Sequence, residues 1–207
     1  MPTRLKALSS MRLAFAAAIV AAGALAVPAA ADSSSADAVG VPPAGEPGSW
    51  QAHSYDFHFM GFTSTYSCDG LEDKLKLLLR LAGAREDVKV QALCARGYGV
   101  PDKLVQAKVT FSSLQPAGAT SSGAATAGNP SVAGLWRHVE LAPHHPFDLQ
   151  LGDCELVEQF RDTLLPMFVT RNVNNQVSCV PHQESGSNFE LSFDVYTAVA
   201  RAKAKSP

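Results

Sequence analysis

The four cysteines are the residues of this sequence with the greatest capacity for chemistry. Cys68 opens the stretch CDGLEDKLKLLL and Cys154 opens CELVEQFRDTLL, each where a helix is predicted to begin. A thiol at a helix N-terminus can be acidified and reactive. There is no Cys-x-x-Cys motif, however, and each has a partner at matching distance, Cys94 after 26 residues and Cys179 after 25. Four cysteines allow three pairings, and the matched spacing favours structural disulfides Cys68–Cys94 and Cys154–Cys179.

The histidines are the next candidates, because imidazole is a common metal ligand. His58 lies beside Asp56 and Met60 on a predicted strand, and His144 and His145 lie in the loop sequence APHHPFD. Imidazole and thioether together suit copper. No histidine pair has the spacing of a helical metal site. His58, His144 and His145 are therefore candidate metal ligands, and isolated surface histidines are the alternative interpretation.

Motifs for other chemistry do not occur in the sequence. There is no Gly-x-Ser-x-Gly nucleophile motif, and the glycines of RGYGVPDK lack the spacing of a phosphate-binding loop. The carboxylates form no evident acid–base pair, and Glu72 and Glu158 are explained as residues of the first helical turn. The sequence names no catalytic residue and no cofactor, and it favours a protein that is not an enzyme.

The order of hydrophobic patterns indicates one unit written twice. The first copy contains the predicted strands SYDFHFMGF, DVKVQALC and LVQAKVTF, and the second contains LWRHVEL, NNQVSC and FELSFDV. In each copy a helical pattern follows the first strand. Clean alternation is typical of antiparallel sheets covered on one side. We therefore predict an α+β fold: a duplicated β-α-β-β unit forming an antiparallel-rich sheet of about six strands, with two helices packed on one face.

The two helices are predicted from capping signals and apolar stripes. Asp69 is the expected N-cap of the first, with Glu72 completing a capping box, and Asp153 is the expected cap of the second. Pro166 should end the second helix near Leu165. The residues that follow helical spacing are Leu71, Leu75, Leu78 and Ala82 in the first helix and Val157, Phe160, Leu164 and Met167 in the second.

The remaining segments predict an exported protein. Residues 1–31 combine a basic start, an uncharged apolar run and a small-residue cleavage site after Ala31, which is typical of a secretory signal peptide. Residues 32–49 are predicted to be a disordered tether. A single domain should follow at 50–202, with copy one at 50–114, a flexible linker at 115–134 and copy two at 135–202. Two small domains joined by 115–134 are the alternative.

Composition and cysteine content limit the function classes. Acidic residues outnumber basic ones, 19 to 17, and no basic run favours nucleic acid or anionic lipid as a partner. No segment after the signal peptide is long and apolar enough to predict a membrane span. Paired cysteines indicate an oxidising compartment, so we expect a periplasmic or secreted location.

The functional hypothesis is an exported, disulfide-stabilised, non-catalytic binding or accessory protein of the periplasm. Its partner would be an envelope protein or a small ligand, and the polar sheet face away from the helices is either a partner surface or simply a solvated face. The alternative is a small periplasmic metal-binding protein or enzyme that uses the strand and loop histidines. The residues predicted on that polar face are Asp56, His58, Lys89, Gln91, Gln106, Lys108, Glu190, Ser192 and Asp194.

Overall fold

A computed structural model of the protein describes residues 45–94, 97, 99–117 and 131–199. Eight strands and helices follow one another along this part of the chain. They are β1 (Glu46–Met60), α1 (Cys68–Leu81), β2 (Lys89–Leu93), β3 (Leu104–Pro116), β4 (Val132–Leu141), α2 (Cys154–Thr163), β5 (Thr170–Ser178) and β6 (Asn188–Ala198), with short 3₁₀ turns at Leu151–Asp153 and Leu165–Met167.

All six strands form one antiparallel sheet in the order β2-β3-β1-β4-β6-β5. The α+β prediction is therefore confirmed. β3 pairs with both β1 and β2, and β6 pairs with both β4 and β5. The two groups are joined where Glu46–Gly48 of β1 pairs with Val132–Gly134 of β4.

Alternation along the strands determines which side chains enter the core. In β1, Phe57 and Phe59 are buried, and Asp56 and His58 point to the opposite face and are exposed. The same alternation buries every second residue through most of β3 and β6. Leu135 in β4 is an exception: it has the same alternation as the buried Val139 and Leu141, but it is 40% exposed. Inward strand residues and the apolar stripes of α1 and α2 belong to one hydrophobic cluster.

The helix starts differ in detail from the sequence prediction. Ser67, not Asp69, is the N-cap of α1, and its hydroxyl accepts a hydrogen bond from the Gly70 N–H at 3.2 Å. The capping box was also a wrong prediction, because the Glu72 carboxylate instead accepts from the Ala92 N–H at 2.9 Å. This contact occupies a backbone donor of the edge strand β2, which protects the edge from pairing with another chain.

At the second helix, Asp153 occupies the N-cap position but its side chain does not cap the helix. α2 ends at Thr163, and Pro166 lies in the 3₁₀ turn that follows. This end point agrees with the predicted effect of the proline to within two residues.

Both predicted disulfides are present in the structure. Cys68 bonds to Cys94 with a Cα–Cα distance of 5.9 Å, and Cys154 bonds to Cys179 with a Cα–Cα distance of 5.7 Å. These distances lie within the usual range for disulfides. Each bridge fixes the first residue of a helix to the segment that follows an edge strand.

Two predicted segment boundaries were wrong at their edges. β1 begins at Glu46, so the last residues of the predicted tether 32–49 belong to the sheet. The predicted linker 115–134 likewise loses its first residues to β3 and its last to β4. The signal peptide, the rest of the tether, residues 118–130 of the linker and residues 200–202 lie outside the described part of the chain.

Gly134, at the end of the predicted linker, occupies a position where a larger residue would not fit. Gly134 lies against the ring of Tyr196, and a Cβ at this position would stand 2.3 Å from the tyrosine Cζ. Tyr196 is buried, and its hydroxyl donates to the Glu46 carbonyl oxygen at 2.7 Å. The contact lies where the two groups of strands meet.

Deleting residues 115–134 in favour of a short Gly-Ser bridge should destabilise the protein, since the deletion removes the β4 residues that pair with β1. We expect the melting temperature to fall by about 5 °C or more. Replacing only residues 118–130 with the same bridge is the control and should have a much smaller effect, because loop closure varies slowly with length. Equal melting temperatures of the two variants would contradict the importance of the β1–β4 pairing.

Candidate functional site

A cavity lies where β1 ends, β3 begins and β2 ends. Its volume is about 590 Å³, within the range typical of small-molecule sites. The residues that line it are His58, Phe59, Met60, Leu93, Cys94, Leu104, Val105 and Gln106.

The strand register explains the apolar character of this cavity. Met60 lies opposite Leu104 on the sheet face away from the core, where alternation predicts polar residues. Leu93, at the end of β2, lies on the same face opposite Gln106. These three side chains are 51%, 62% and 69% exposed, respectively. Clustered exposed apolar side chains are typical of a binding surface.

Two polar side chains lie in the same cross-strand row as Leu93. His58 and Gln106 are direct cross-strand partners, and both are exposed. The next row towards the middle of the sheet pairs Asp56 with Lys108, two side chains of opposite charge. The cavity therefore offers an apolar region at the strand ends and hydrogen-bonding groups beside it.

The floor of the cavity is fixed by the core and by a disulfide. Phe59 and Val105 are almost completely buried. Cys94 follows β2 directly and is bonded to Cys68 at the start of α1. This covalent link limits the movement of one wall, so part of the cavity is organised before any ligand arrives.

The segment after β1 is held by a buried carboxylate from α2. Glu155 is only 5% exposed. It accepts hydrogen bonds from the backbone N–H groups of Phe62, Thr63 and Ser64, with shortest distances of 3.0, 3.0 and 3.3 Å. The Ser64 hydroxyl donates to it as well, at 3.2 Å. These donors compensate the charge of Glu155.

A second buried carboxylate connects the same two parts of the chain. Asp153 accepts hydrogen bonds from the Tyr66 hydroxyl and from the Lys74 ammonium group, the latter at 2.7 Å. Lys74 also donates to the backbone carbonyl of Asp148. Burial raises the pKa of the Tyr66 hydroxyl, and the neighbouring Asp153 carboxylate raises it further. This group therefore stays protonated and acts as a hydrogen-bond donor at neutral pH.

The raised pKa of Tyr66 predicts a loss of stability at alkaline pH. In the unfolded chain tyrosine ionises near pH 10, whereas in the folded chain it keeps its proton. The stabilisation is therefore complete below pH 10 and is lost as the pH rises above it, by up to about 1.4 kcal/mol per pH unit. Urea unfolding between pH 8 and 11 should show a weaker pH dependence for Tyr66→Phe than for wild type. Tyr55→Phe is the control, and equal slopes for wild type and Tyr66→Phe would contradict this role.

The candidate metal ligands do not come together. His58 lines the cavity, whereas His144 and His145 lie in the loop after β4, where both take part in backbone hydrogen bonds. Among the described residues, no group of three or more His, Cys, Asp or Glu side chains is placed to hold a metal ion. None of the described helices has the length and apolar character needed to cross a membrane.

Asp194, one of the residues predicted on the polar face, belongs to a polar cluster on the β4-β6-β5 side of the sheet. Asp194 accepts from Asn172 at 2.7 Å and lies 3.0 Å from the ring nitrogen Nδ1 of His138. The His138 and Asn172 hydrogen bonds lower the pKa of the Asp194 carboxyl. The Arg171 guanidinium stacks over the Trp136 ring at 4.1 Å. Seven of the nine predicted outward residues are exposed, and Ser192 and Asp194 are half-buried.

Comparison with protein families, curated proteins and solved structures gives no match for this chain.

Sequence reasoning did not identify most of the cavity. Leu93 and Leu104 were missed, and Met60 was considered only as a thioether beside His58. Each of the three follows or precedes a buried residue in the chain, so each breaks the apolar–polar alternation at a strand end. This loss of alternation in three neighbouring strands was the available signal. The roles of Asp153 and Glu155 had no such signal, because their partners lie far away in the sequence.

Proposed function

We propose that this protein is an exported, disulfide-stabilised, non-catalytic binding protein, and that its ligand is a small amphipathic molecule held in the cavity beside Met60. The observation that carries this proposal is the set of exposed apolar side chains around a preformed cavity. Ligand sites are usually apolar, with a few polar groups that fix orientation. Here the His58 imidazole and the Gln106 amide would bind the polar end of the ligand.

Support for export comes from the cysteines and from the start of the sequence. Both disulfides join residues within the described domain, and such bonds persist in oxidising compartments. The pattern at residues 1–31 is that of a signal peptide. A periplasmic or secreted location follows from this proposal, with N-terminal sequencing of the exported protein as its direct test.

We also propose that the domain arose by duplication of a β-α-β-β unit, with both helices on one sheet face. β1 and β4 begin at Glu46 and Val132, and α1 and α2 begin at Cys68 and Cys154, so both pairs are 86 positions apart. The shared hydrophobic cluster, with contributions from both helices, supports placing them on the same face.

The strand registers support the duplication independently. Phe111 of β3 lies opposite His53 of β1, and Phe193 of β6 lies opposite Val139 of β4. His53 and Val139 are again 86 positions apart. If the binding function belongs to the first copy, the second copy has diverged at the equivalent strand ends.

Binding of the neutral fluorescent probe N-phenyl-1-naphthylamine tests the proposed cavity. The wild-type domain should bind the probe, and Leu93→Gln with Leu104→Gln should weaken binding roughly tenfold or more, because two apolar contacts are lost. Leu135→Gln is the matched control, since Leu135 is another exposed leucine, on β4. Circular dichroism verifies that each variant is folded. Equal probe affinity of the double variant and the control would reject this cavity as the binding site.

A metal-binding protein or small enzyme that uses histidines is the second candidate. It is favoured by one observation: His58 and Met60 are successive outward residues of β1 and both line the cavity. Imidazole and thioether suit a soft ion such as Cu(I). Metal analysis of the purified protein tests this candidate. Cu(I) titration should then compare His58→Ala with the control His138→Ala. A double variant, His144→Ala with His145→Ala, tests the loop.

A further inference from the structure

One side chain of α2 makes two hydrogen bonds to the end of β1. The Met60 N–H donates to the Gln159 Oε1 atom at 3.0 Å, and the Gln159 Nε2 atom donates to the Met60 carbonyl oxygen at 2.7 Å. The glutamine amide thus satisfies both backbone groups of Met60, as a neighbouring strand would. Met60 is the last residue of β1, and it lines the cavity.

The same helix holds the residues that follow. Glu155 lies one turn before Gln159, and its carboxylate binds the backbone of Phe62, Thr63 and Ser64. Two successive turns of α2 therefore hold the chain immediately before and after Gly61. No comparable side-chain contact from β4, β5 or β6 to the end of β1 occurs in the described part of the chain.

The position of α2 is itself strongly constrained. Its first residue, Cys154, is bonded to Cys179, and Phe160, directly after Gln159, is fully buried in the core. A helix fixed at these points is a rigid support, whereas the end of a strand tends to fray.

We infer that Gln159 and Glu155 are positioning residues for the cavity. Through them α2, which belongs to the second half of the domain, determines the position of Met60, which forms a wall of the cavity in the first half. This inference rests on the proposed function. Gln159 touches no ligand in this scheme. It keeps the Met60 backbone, and with it the Met60 side chain, in the position that closes the cavity. Without the Gln159 side chain, the end of β1 can adopt several arrangements, of which only one binds the ligand. The apparent affinity then falls in proportion to the fraction of molecules in that arrangement.

The test compares Gln159→Ala with Glu158→Ala in probe binding. Glu158 is the adjacent residue of α2, it is partly exposed, and it forms an ion pair with Arg161 at 3.9 Å. Gln159→Ala should weaken binding of N-phenyl-1-naphthylamine roughly three- to tenfold, the effect of losing about one net hydrogen bond. Gln159→Glu, which keeps only the acceptor, should show an intermediate loss, and Glu158→Ala should bind as wild type does.

Amide hydrogen exchange without probe gives a second readout. Protection of the Met60 N–H should fall in Gln159→Ala and persist in Glu158→Ala. Unchanged probe affinity in Gln159→Ala, with wild type binding normally, would overturn the inference. Failure of wild type itself to bind the probe is a different result: it would reject the proposed function, and the inference that rests on it would be rejected too. Loss of Met60 protection together with weaker binding supports the positioning role.

Discussion

Replacing Phe193 with alanine should cost about 3–5 kcal/mol of unfolding free energy, and the protein should still unfold in one transition. Phe193 is fully buried in β6, and its ring belongs to the cluster that also contains Phe111 of β3. Truncation removes apolar contacts and leaves a cavity that the sheet cannot fill. Urea unfolding followed by circular dichroism measures the loss, and calorimetry counts the transitions.

A shared core is the reason to expect a single transition. Phe111 stacks on Phe168, which lies between α2 and β5, with ring centroids 5.1 Å apart. Damage on either side of the domain should therefore be transmitted to the other. Phe147→Ala is the control, since this phenylalanine is 81% exposed and its truncation should change stability by about 0.5 kcal/mol or less. Two resolved transitions in Phe193→Ala would favour two independent small domains.

Local patterns in the sequence predict the framework of this fold. Alternation in FELSFDV and LVQAKVTF identified the buried residues of β6 and β3, because a strand with one covered face repeats every two residues. Helical spacing identified Leu71, Leu75 and Leu78 as core residues of α1 for the corresponding reason. The closely matched cysteine spacings, 26 and 25 residues, favoured the two disulfides that the structure contains. Each of these signals depends on residues close in sequence or on an internal repeat.

Contacts between distant segments could not be predicted in the same way. In the sequence, Glu155 is an ordinary glutamate of the first helical turn. Its role is evident only in the fold, where the backbone of Phe62, Thr63 and Ser64 lies beside it. Glu72 has the spacing of a capping box, but a free edge donor on β2 competes for its carboxylate. The end of the predicted linker was placed wrongly because it was predicted from composition alone. Composition does not show that Gly134 belongs to a strand and must fit against Tyr196.

The second large effect is expected at the buried carboxylate of α2. Glu155→Ala should lower the unfolding free energy by about 3–4 kcal/mol, because several hydrogen bonds to a charged group are lost and backbone donors are left without a partner. Glu155→Gln should fall between wild type and Glu155→Ala. The amide keeps an acceptor oxygen but presents an –NH₂ group to donors that previously met a second carboxylate oxygen.

Glu158→Ala isolates this effect from the general cost of removing a glutamate from α2. Glu158 is 39% exposed in its side chain and forms an ion pair with Arg161 on the helix surface, so its removal should cost about 1 kcal/mol or less. The unfolding free energies of the two variants are compared by urea unfolding at pH 7, provided that both free energies depend on urea concentration with the same slope. If Glu155→Ala and Glu158→Ala are equally stable, the carboxylate does not hold the segment after β1. A large difference between them would mean that the fold of the first half depends on one buried charge supplied by the second.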